Sequence, residues 1–213
     1  MFVTTAELIN TISVLGTAAF AFSAVLAASE KKTDIFTVVV LGVITAVGGG
    51  SARDVLLDVT VFWSEELYYV WIAVVSSLIG FICVSFLKKR WFHTINLYVD
   101  AIAIAMFAIQ GTEKAWSLSF GLPLGPIMLG IITAVGGGVI RDVLIQRPTL
   151  LLSKELYAIP VALGCTLHAT TLALLPQYTD VSAVVSIALV IYIRHLSISK
   201  QLAVPKWATL NPV

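Results

Sequence analysis

A glycine-rich motif that ends in Arg-Asp occurs twice in the sequence, at a constant offset of 88 positions. Residues 42–58 match residues 130–146 at 12 of 17 positions, and both copies contain Thr-Ala-Val-Gly-Gly-Gly-x-x-Arg-Asp-Val-Leu. Three successive glycines lower the cost of bending or unwinding a helix. Such a break would free backbone carbonyl oxygens, which bind monovalent cations, and N–H groups, which bind anions. The motif therefore indicates an ion or small-solute site, but it does not determine whether the bound group is a cation or an anion.

The candidate site consists of both glycine triplets and the threonine three residues before each, namely Thr45, Gly48, Gly49, Gly50, Thr133, Gly136, Gly137 and Gly138. The cation ligands that a break would provide are the carbonyls of Gly48, Gly49, Gly136 and Gly137. The alternative is close helix packing, which small residues permit in membranes. Three consecutive glycines put small residues on most sides of a helix, so their repetition favours a site, although the two roles are compatible.

Charged residues accompany each triplet. Arg53 and Arg141 follow the last glycine by three positions, where a charge usually faces the protein interior, water or a partner. An equally supported alternative is that both side chains extend to the membrane interface. Asp54 and Asp142 do not share a helix face with the preceding arginine, so we expect both carboxylates to be interfacial and unpaired within their copy. Asp100, in a separate apolar segment, is expected to contact Arg141.

The composition of the chain indicates the class of protein in which these residues lie. Hydrophobic residues make up 59% of the 213-residue chain, charged residues make up 12%, and the mean hydropathy is +0.98. A soluble domain has about a quarter of its residues charged. The sequence therefore predicts an integral membrane protein, and its net charge of +1 leaves no basic surface suited to nucleic acid.

Other reactive residue types form no catalytic or metal-binding pattern in the sequence. Cys83 and Cys165 lie in apolar stretches without ligand spacing, and the motifs of serine hydrolases, zinc proteases and phosphate loops do not occur. His168 also lies within an apolar segment, where a hydrogen-bonded packing role is favoured over a proton relay. The sequence thus favours a protein that is not an enzyme and that has neither a cofactor nor a nucleic-acid partner.

Seven apolar segments can each cross a membrane, which takes about 20 residues. They are residues 8–29, 35–52, 67–87, 95–111, about 122–140, 156–175 and 177–197, the last with Asp180 and Arg194 at the two interfaces. The motif lies in segments two and five, so the copies are three segments apart and the second copy is inverted. We predict an all-α polytopic membrane protein with seven transmembrane helices. Residues 1–92 and 93–176 form two inverted three-helix repeats, and residues 177–213 form the seventh helix and a tail.

The distribution of basic residues predicts the orientation. With seven spans, 11 of the 13 Lys and Arg residues fall on the side of the C-terminus, and only Arg53 and Lys114 fall on the other side. Because cytoplasmic loops carry the excess of Lys and Arg, the N-terminus is expected outside and the C-terminus in the cytoplasm. The run Lys88-Lys89-Arg90 belongs to this signal, with anionic-lipid binding as the weaker interpretation.

With its duplicated motif and its two sets of three helices, the sequence resembles the prokaryotic members of the trimeric intracellular cation channel family over nearly its whole length. The resemblance implies a homotrimer in the cell (inner or plasma) membrane, surrounded by lipids. It also implies that each protomer passes monovalent cations, mainly potassium and sodium, along kinked helices two and five. The residues of both triplets are then the pore and ion-contact positions, with Arg53, Arg141 and Asp100 as adjacent charges.

Two functions remain open on the sequence. A passive channel is favoured because we expect no buried acid at the triplets that would capture a proton or an ion for coupled transport. The alternative is a secondary transporter of a small zwitterion such as glycine, since bacterial relatives have been labelled as similar to glycine transporters. In that case Arg53 or Arg141, together with helix N-termini, would hold the carboxylate of the substrate.

Overall fold

The computed structural model describes residues 5–29, 31–86, 89–153 and 155–203. The described residues form eight α-helices, joined by short connections that include two 3₁₀ turns at Leu150–Leu152 and Pro176–Tyr178. The helices are α1 (Thr5–Ala28), α2 (Ile35–Leu56), α3 (Phe62–Glu65), α4 (Tyr68–Phe86), α5 (Lys89–Ser117), α6 (Leu124–Leu144), α7 (Ala158–Leu174) and α8 (Thr179–Lys200). Of the expected topology signal, Lys88 and the side chains of Lys89 and Arg90 lie outside the described residues.

Within the described part of the chain, five helices are long and apolar enough to cross a membrane by length and composition. They are Glu7–Ala28, Ile35–Leu56, Trp91–Ser117, Leu124–Leu144 and Pro176–Lys200. Two shorter apolar helices, Tyr68–Val84 and Ala158–Leu174, correspond to the third and sixth expected spans. Large apolar side chains such as Phe36 and Phe86 point away from the bundle, with 75% and 84% of their surfaces exposed. The chain is an integral membrane protein.

Two helices extend well beyond their expected bounds. The α5 helix covers 29 residues, against 17 expected. Towards its C-terminus it continues through Glu113 and Lys114, because these charges are paired with His168 and Asp54 and do not end the helix. The α2 helix likewise continues through Arg53 and Asp54 to Leu56. In both helices, internal ion pairing allows charged residues to remain helical where the hydropathy pattern alone would end the span.

The α5 helix lies at the centre of the bundle and contacts α1, α6, α7 and α8. Its Phe107 stacks on Phe20 of α1, with ring centroids 5.3 Å apart. These two phenylalanines occupy corresponding positions of the sequence duplication, at an offset of 87. The core therefore joins the two halves of the chain through equivalent residues.

Candidate functional site

The two glycine triplets lie against each other where α2 and α6 cross. A Cβ atom added to Gly49 would collide with the carbonyl oxygen of Thr133, and one added to Gly137 would collide with that of Thr45. Because position 45 meets 137 while 49 meets 133, the two helices cross antiparallel and their contact is reciprocal. Glycine at both central positions is therefore required by the close approach of the two backbones.

The outer glycines of the triplets have other neighbours. A Cβ on Gly136 would be only in ordinary contact, 3.4 Å from the Cα of Gly49. A Cβ on Gly50 would clash with the ring of Phe62, and one on Gly138 would lie 3.0 Å from the hydroxyl of Tyr157. The central glycines thus permit the helix crossing, whereas the last glycine of each triplet makes room for an aromatic side chain.

The expected interruption of these helices is wrong. Both α2 and α6 are continuous α-helices through their triplets. In a continuous helix the carbonyl oxygens accept from N–H groups of the same helix, and the cation-ligand role of the carbonyls of Gly48, Gly49, Gly136 and Gly137 stays a prediction. The hydroxyls of Thr45 and Thr133 also bond within their own helices, to Leu41 O at 2.7 Å and Leu129 O at 2.5 Å. The physical reason is the tight crossing, which packs the two glycine surfaces together and supports the helical backbone on both sides.

The first charged cluster is centred on Arg53, whose side chain is fully buried. Its Nε donates to Asp54 Oδ1 at 2.8 Å, and its Nη1 donates to Gln110 Oε1 of α5 at 2.6 Å. Lys114, also on α5, places its Nζ 2.8 Å from Asp54 Oδ1. The other carboxylate oxygen of Asp54 accepts a hydrogen bond from the backbone N–H of Phe62 at 2.9 Å. We call this group the Arg53 cluster.

The Arg141 cluster has the same plan at the end of α6. Arg141 is fully buried, and its Nε donates to Asp142 Oδ1 at 2.8 Å. Its Nη1 donates to Ser23 Oγ of α1 at 2.8 Å and to Asp100 Oδ1 of α5 at 2.7 Å. The expected contact between Asp100 and Arg141 is therefore present. Asp100 is itself fully buried and lies close to Gly138, so the expectation that no buried acid lies at the triplets is wrong.

Asp142 repeats the contacts of Asp54. Its Oδ2 accepts from the backbone N–H of Leu150 at 3.1 Å, eight residues further on, as Asp54 does from Phe62. A second cation, Arg147, donates through Nε to Asp142 Oδ1 at 2.7 Å.

The interfacial positions expected for Asp54 and Asp142 are wrong, and so is the interfacial alternative for Arg53 and Arg141, because all four residues are buried: Arg53 0%, Asp54 0%, Arg141 0% and Asp142 1% exposed. The ion pairs within each copy, which were not expected, form because the following loop holds the aspartate beside the arginine.

Each arginine reaches into the other half of the chain. Arg53 contacts Gln110, and Arg141 contacts Ser23. Gln110 and Ser23 are related by the same offset of 87 that relates the stacked phenylalanines. Since α2 and α6 cross antiparallel, Arg53 and Arg141 leave the crossing in opposite directions. Each lies four residues beyond its central glycine, about 6 Å along the helix axis.

The comparisons with known proteins agree with this arrangement. A family model described as a glycine transporter matches residues 10–85 and 97–173, two segments with the offset of the internal duplication. The inner membrane protein YadS of Escherichia coli (strain K12) is 35% identical over 204 residues, 94% of this chain and 97% of that protein. The fold also matches a trimeric intracellular cation channel orthologue from Rhodobacter sphaeroides, with a TM-score of 0.86 and 29% identity over 91% of this chain and 98% of that chain. The chain belongs to the prokaryotic branch of the trimeric intracellular cation channel family.

A second solved structure of this cation channel family agrees in the same way. A prokaryotic channel crystallised in 0.5 M KCl has a TM-score of 0.86 and 30% identity to the chain, over 94% of this chain and 100% of that one. The resemblance stated from the duplicated motif is thereby confirmed.

Buried polar residues also lie outside the two clusters. His168 of α7 links Glu113 Oε2 at 2.8 Å to Ser182 Oγ at 2.7 Å, which fits the expected hydrogen-bonded packing role. Arg194 was expected at an interface but is fully buried, with Nη1 donating to Leu156 O at 3.0 Å. Gln110 and Ser23 were missed as well, although extending the repeat alignment from the phenylalanines would have found them.

Proposed function

We propose that the protein is a passive channel for monovalent cations, potassium and sodium, with one pathway in each protomer along the crossing of α2 and α6. The observation that carries the proposal is the pair of buried charged clusters at the two ends of one antiparallel crossing, in a fold shared with solved cation channels. Charges at membrane depth are costly and mark ion or substrate pathways. We infer that both triplets, Thr45 and Thr133 contribute to the lining of this pathway.

The formal charge of the Arg141 cluster supports cations as the permeating ions. Arg141 and Arg147 are matched by Asp100 and Asp142, which makes the Arg141 cluster formally neutral. A neutral cluster raises no electrostatic barrier to a cation. Asp100 also places a buried carboxylate beside Gly138. An oxygen of this type is what a partly dehydrated monovalent cation binds.

The architecture we propose around the pathway has two inverted three-helix repeats, residues 1–92 and 93–176, and a seventh membrane helix in residues 177–213. The reciprocal contacts of Gly49 with Thr133 and of Gly137 with Thr45 support an inverted relation, since they are what a twofold axis in the membrane plane would produce. The distribution of basic residues supports an outer N-terminus and a cytoplasmic C-terminus. A homotrimer is supported by the name of the Rhodobacter sphaeroides orthologue.

A secondary transporter of a small zwitterion such as glycine is the second candidate. Two observations favour it: the description of the matching family model, and the buried Nη2 groups of Arg53 and Arg141, which lack a hydrogen-bond partner among the described residues. A guanidinium with free donors binds a carboxylate well. The acidic and basic groups of the clusters are thus compatible with either solute.

Reconstitution in planar bilayers tests the proposal. A channel gives discrete, ohmic single-channel currents in potassium, whereas a transporter gives saturable glycine uptake without such currents. The variant Asp100→Asn is expected to lower the unitary potassium current, because it removes the carboxylate charge beside Gly138. The matched control is Asp58→Asn, which removes an exposed carboxylate outside both clusters and should leave the current unchanged. Uptake without currents, or equal currents in both variants, contradicts the proposed pathway.

A further inference from the structure

His168 of α7 is a buried titratable residue outside the two charged clusters. Its side chain is fully buried where α7 meets α5 and α8. The ring atom Nε2 lies 2.8 Å from Glu113 Oε2 of α5, and Nδ1 lies 2.7 Å from Ser182 Oγ of α8. His168 therefore joins three helices of the bundle by polar contacts.

The two partners of the ring suit both of its protonation states. An ionised carboxylate can only accept, so Nε2 carries a hydrogen that it donates to Glu113. The hydroxyl of Ser182 donates to Nδ1 of the neutral ring and can rotate to accept from Nδ1 of the protonated ring. A proton can thus be added to His168 without leaving either ring nitrogen unpaired and without moving a helix.

Glu113 connects this site to one surface of the protein. It lies four residues before the end of α5, and 21% of its side chain is exposed. The adjacent Lys114 belongs to the Arg53 cluster, at the end of the bundle that the distribution of basic residues places outside. A proton from the outer solution therefore has a short route to His168 along the carboxylate.

Towards the inner end, apolar packing separates His168 from the polar groups there. A Cβ atom added to Gly164 of α7 would collide with the side chain of Val190 of α8. Val190 is fully buried, and it lies between Ser186 and Arg194 along the helix. The site is thus expected to take up protons from the outside and not to pass them across the membrane.

Other titratable groups on α7 and on the elements packed against it leave Glu113 as the carboxylate bonded to the ring. The α7 helix packs against α5, α6, α8 and the turn Pro176–Tyr178. At the end of the bundle near His168, the described titratable side chains of these elements are Glu113 and Lys114 of α5, Asp180 of α8, Tyr178 of the turn and Cys165 of α7 itself. In the inner halves of their helices lie His93, Tyr98 and Asp100 of α5, Arg141 and Asp142 of α6, and Tyr192, Arg194, His195 and Lys200 of α8. Asp180 precedes Ser182 by two residues, about 200° around the helix, so the two side chains leave α8 on different faces.

A proton on His168 changes the charge beside the Arg53 cluster. Counted together with Glu113, that cluster has two cations, Arg53 and Lys114, and two carboxylates, Asp54 and Glu113, which gives a formal charge of zero. Protonation of His168 makes the sum positive. A positive charge in a medium of low dielectric constant repels a cation strongly. Protonation therefore raises the electrostatic barrier at the outer end of the α2–α6 crossing.

We propose that His168 is a proton-binding site that is reached from the outer solution, and that its protonation lowers the cation current along the α2–α6 crossing. The effect on the current rests on the proposed channel function, whereas proton binding does not. Because histidine changes its charge between about pH 5 and 8, the current should fall as the outer solution is acidified through this range.

NMR spectroscopy of histidine-labelled protein in detergent tests the binding step. The chain has three histidines, His93, His168 and His195, and the spectrum of His168→Gln identifies the signal of His168. That signal should shift between about pH 5 and 8. Glu113→Gln removes the anionic acceptor and should make the shift over this range smaller. A signal of His168 that stays constant over the range overturns the proposal.

Planar bilayers with the pH changed on one side at a time test the effect on the current. Acid on the outer side should lower the potassium current of the parent protein, and acid on the inner side should lower it much less. His168→Gln stays neutral and should lose the response to outer acid. His195→Gln is the matched control, since it removes an exposed histidine near the opposite end of α8, and it should retain the response.

The two measurements separate the failure of this proposal from the failure of the channel function. If no protein conducts, the channel function fails, while the NMR titration still decides whether His168 binds a proton. A response to outer acid that persists in His168→Gln overturns the role of His168, because the proton then binds another group such as Asp180. If His168→Gln does not fold, Glu113→Gln replaces it. That variant should have a lower current at neutral pH and a weaker response to acid, and an unchanged response would also overturn the proposal.

Discussion

The Arg53 and Arg141 clusters share one geometry but differ in formal charge. In both, a buried arginine bonds the following aspartate, whose second oxygen accepts a backbone N–H eight residues on. The Arg53 cluster has two cations, Arg53 and Lys114, and one carboxylate, which gives +1. The Arg141 cluster has two cations and two carboxylates, which gives zero.

The difference between the clusters lies in what neighbouring helices contribute. The motif supplies the arginine and the aspartate in both, whereas the other acceptor of the arginine is the neutral amide of Gln110 in one and the carboxylate of Asp100 in the other. The duplicated motif therefore determines the arginine–aspartate pair of each cluster, and single residues of α5 determine the net charge of the cluster. Replacing those residues should convert one cluster toward the other.

The largest effect is expected from removing the acceptors on α5. Asp100→Leu removes one of the two carboxylates that pair with the buried guanidinium of Arg141, Asp142 being the other, and should lower the free energy of unfolding by about 3–5 kcal/mol. Gln110→Leu removes a neutral acceptor and should cost less, about 1.5–3 kcal/mol. Thermal and denaturant unfolding in detergent measures both, with Asp100→Asn as the control that retains an acceptor without the charge and should recover only part of the loss. Equal losses for the two leucine variants would contradict the difference in charge between the clusters.

The helix crossing provides the next largest effect. Gly137→Ala forces a Cβ against Thr45 O and should destabilise the fold by about 1–3 kcal/mol. The adjacent Gly136→Ala places its Cβ in ordinary contact, and alanine favours a helix by about 1 kcal/mol over glycine, so this variant should be neutral or stabilising. Unfolding midpoints of the pair measure the difference. If the crossing is reciprocal, Gly49→Ala behaves as Gly137→Ala does, and a tolerated Gly49→Ala would break that equivalence.

A smaller effect is expected at the second cation of the Arg53 cluster. Lys114 is 31% exposed, so its bond to Asp54 is partly screened, and Lys114→Met should cost about 1 kcal/mol or less. Asp54 keeps Arg53 and the N–H of Phe62 as partners. The loss should shrink as salt rises, because added ions already weaken the ion pair in the parent protein. A loss that is the same at low and high salt would indicate a packing role for Lys114 instead.

The sequence predicted the helical membrane class, the position of most helices and the Asp100–Arg141 contact. The hydropathy pattern indicates the membrane class and the helices, and the internal repeat indicates how the helices are related. It did not predict continuous helices at the triplets, because the support comes from the facing helix: Gly49 and Gly137 lose their freedom only when the other backbone lies against them. Nor did it predict the buried aspartates, because the stabilising N–H groups of Phe62 and Leu150 lie in loops whose paths hydropathy does not encode.

The smallest effect concerns the way the two motif helices begin. Asp34 caps α2, accepting from Thr37 N at 2.9 Å and Thr37 Oγ1 at 2.6 Å, whereas α6 begins after Pro123 without a side-chain cap. The hydrogen bonds from Thr37 lower the pKa of Asp34 below 3.8. A lowered carboxyl pKa stabilises the folded state above the unfolded pKa, and that stability is lost as the pH falls through the folded value.

Asp34→Ala should therefore increase amide exchange in the first turn of α2 near neutral pH, and acidification of the parent protein through the folded pKa should do the same. The first turn of α6 is the internal control and should respond to neither change. Protection factors from hydrogen exchange separate the two helices. Equal responses in both helices would contradict a role for the Asp34 cap. The first turn of α2 would then be stabilised by packing in the bundle, as the uncapped first turn of α6 is.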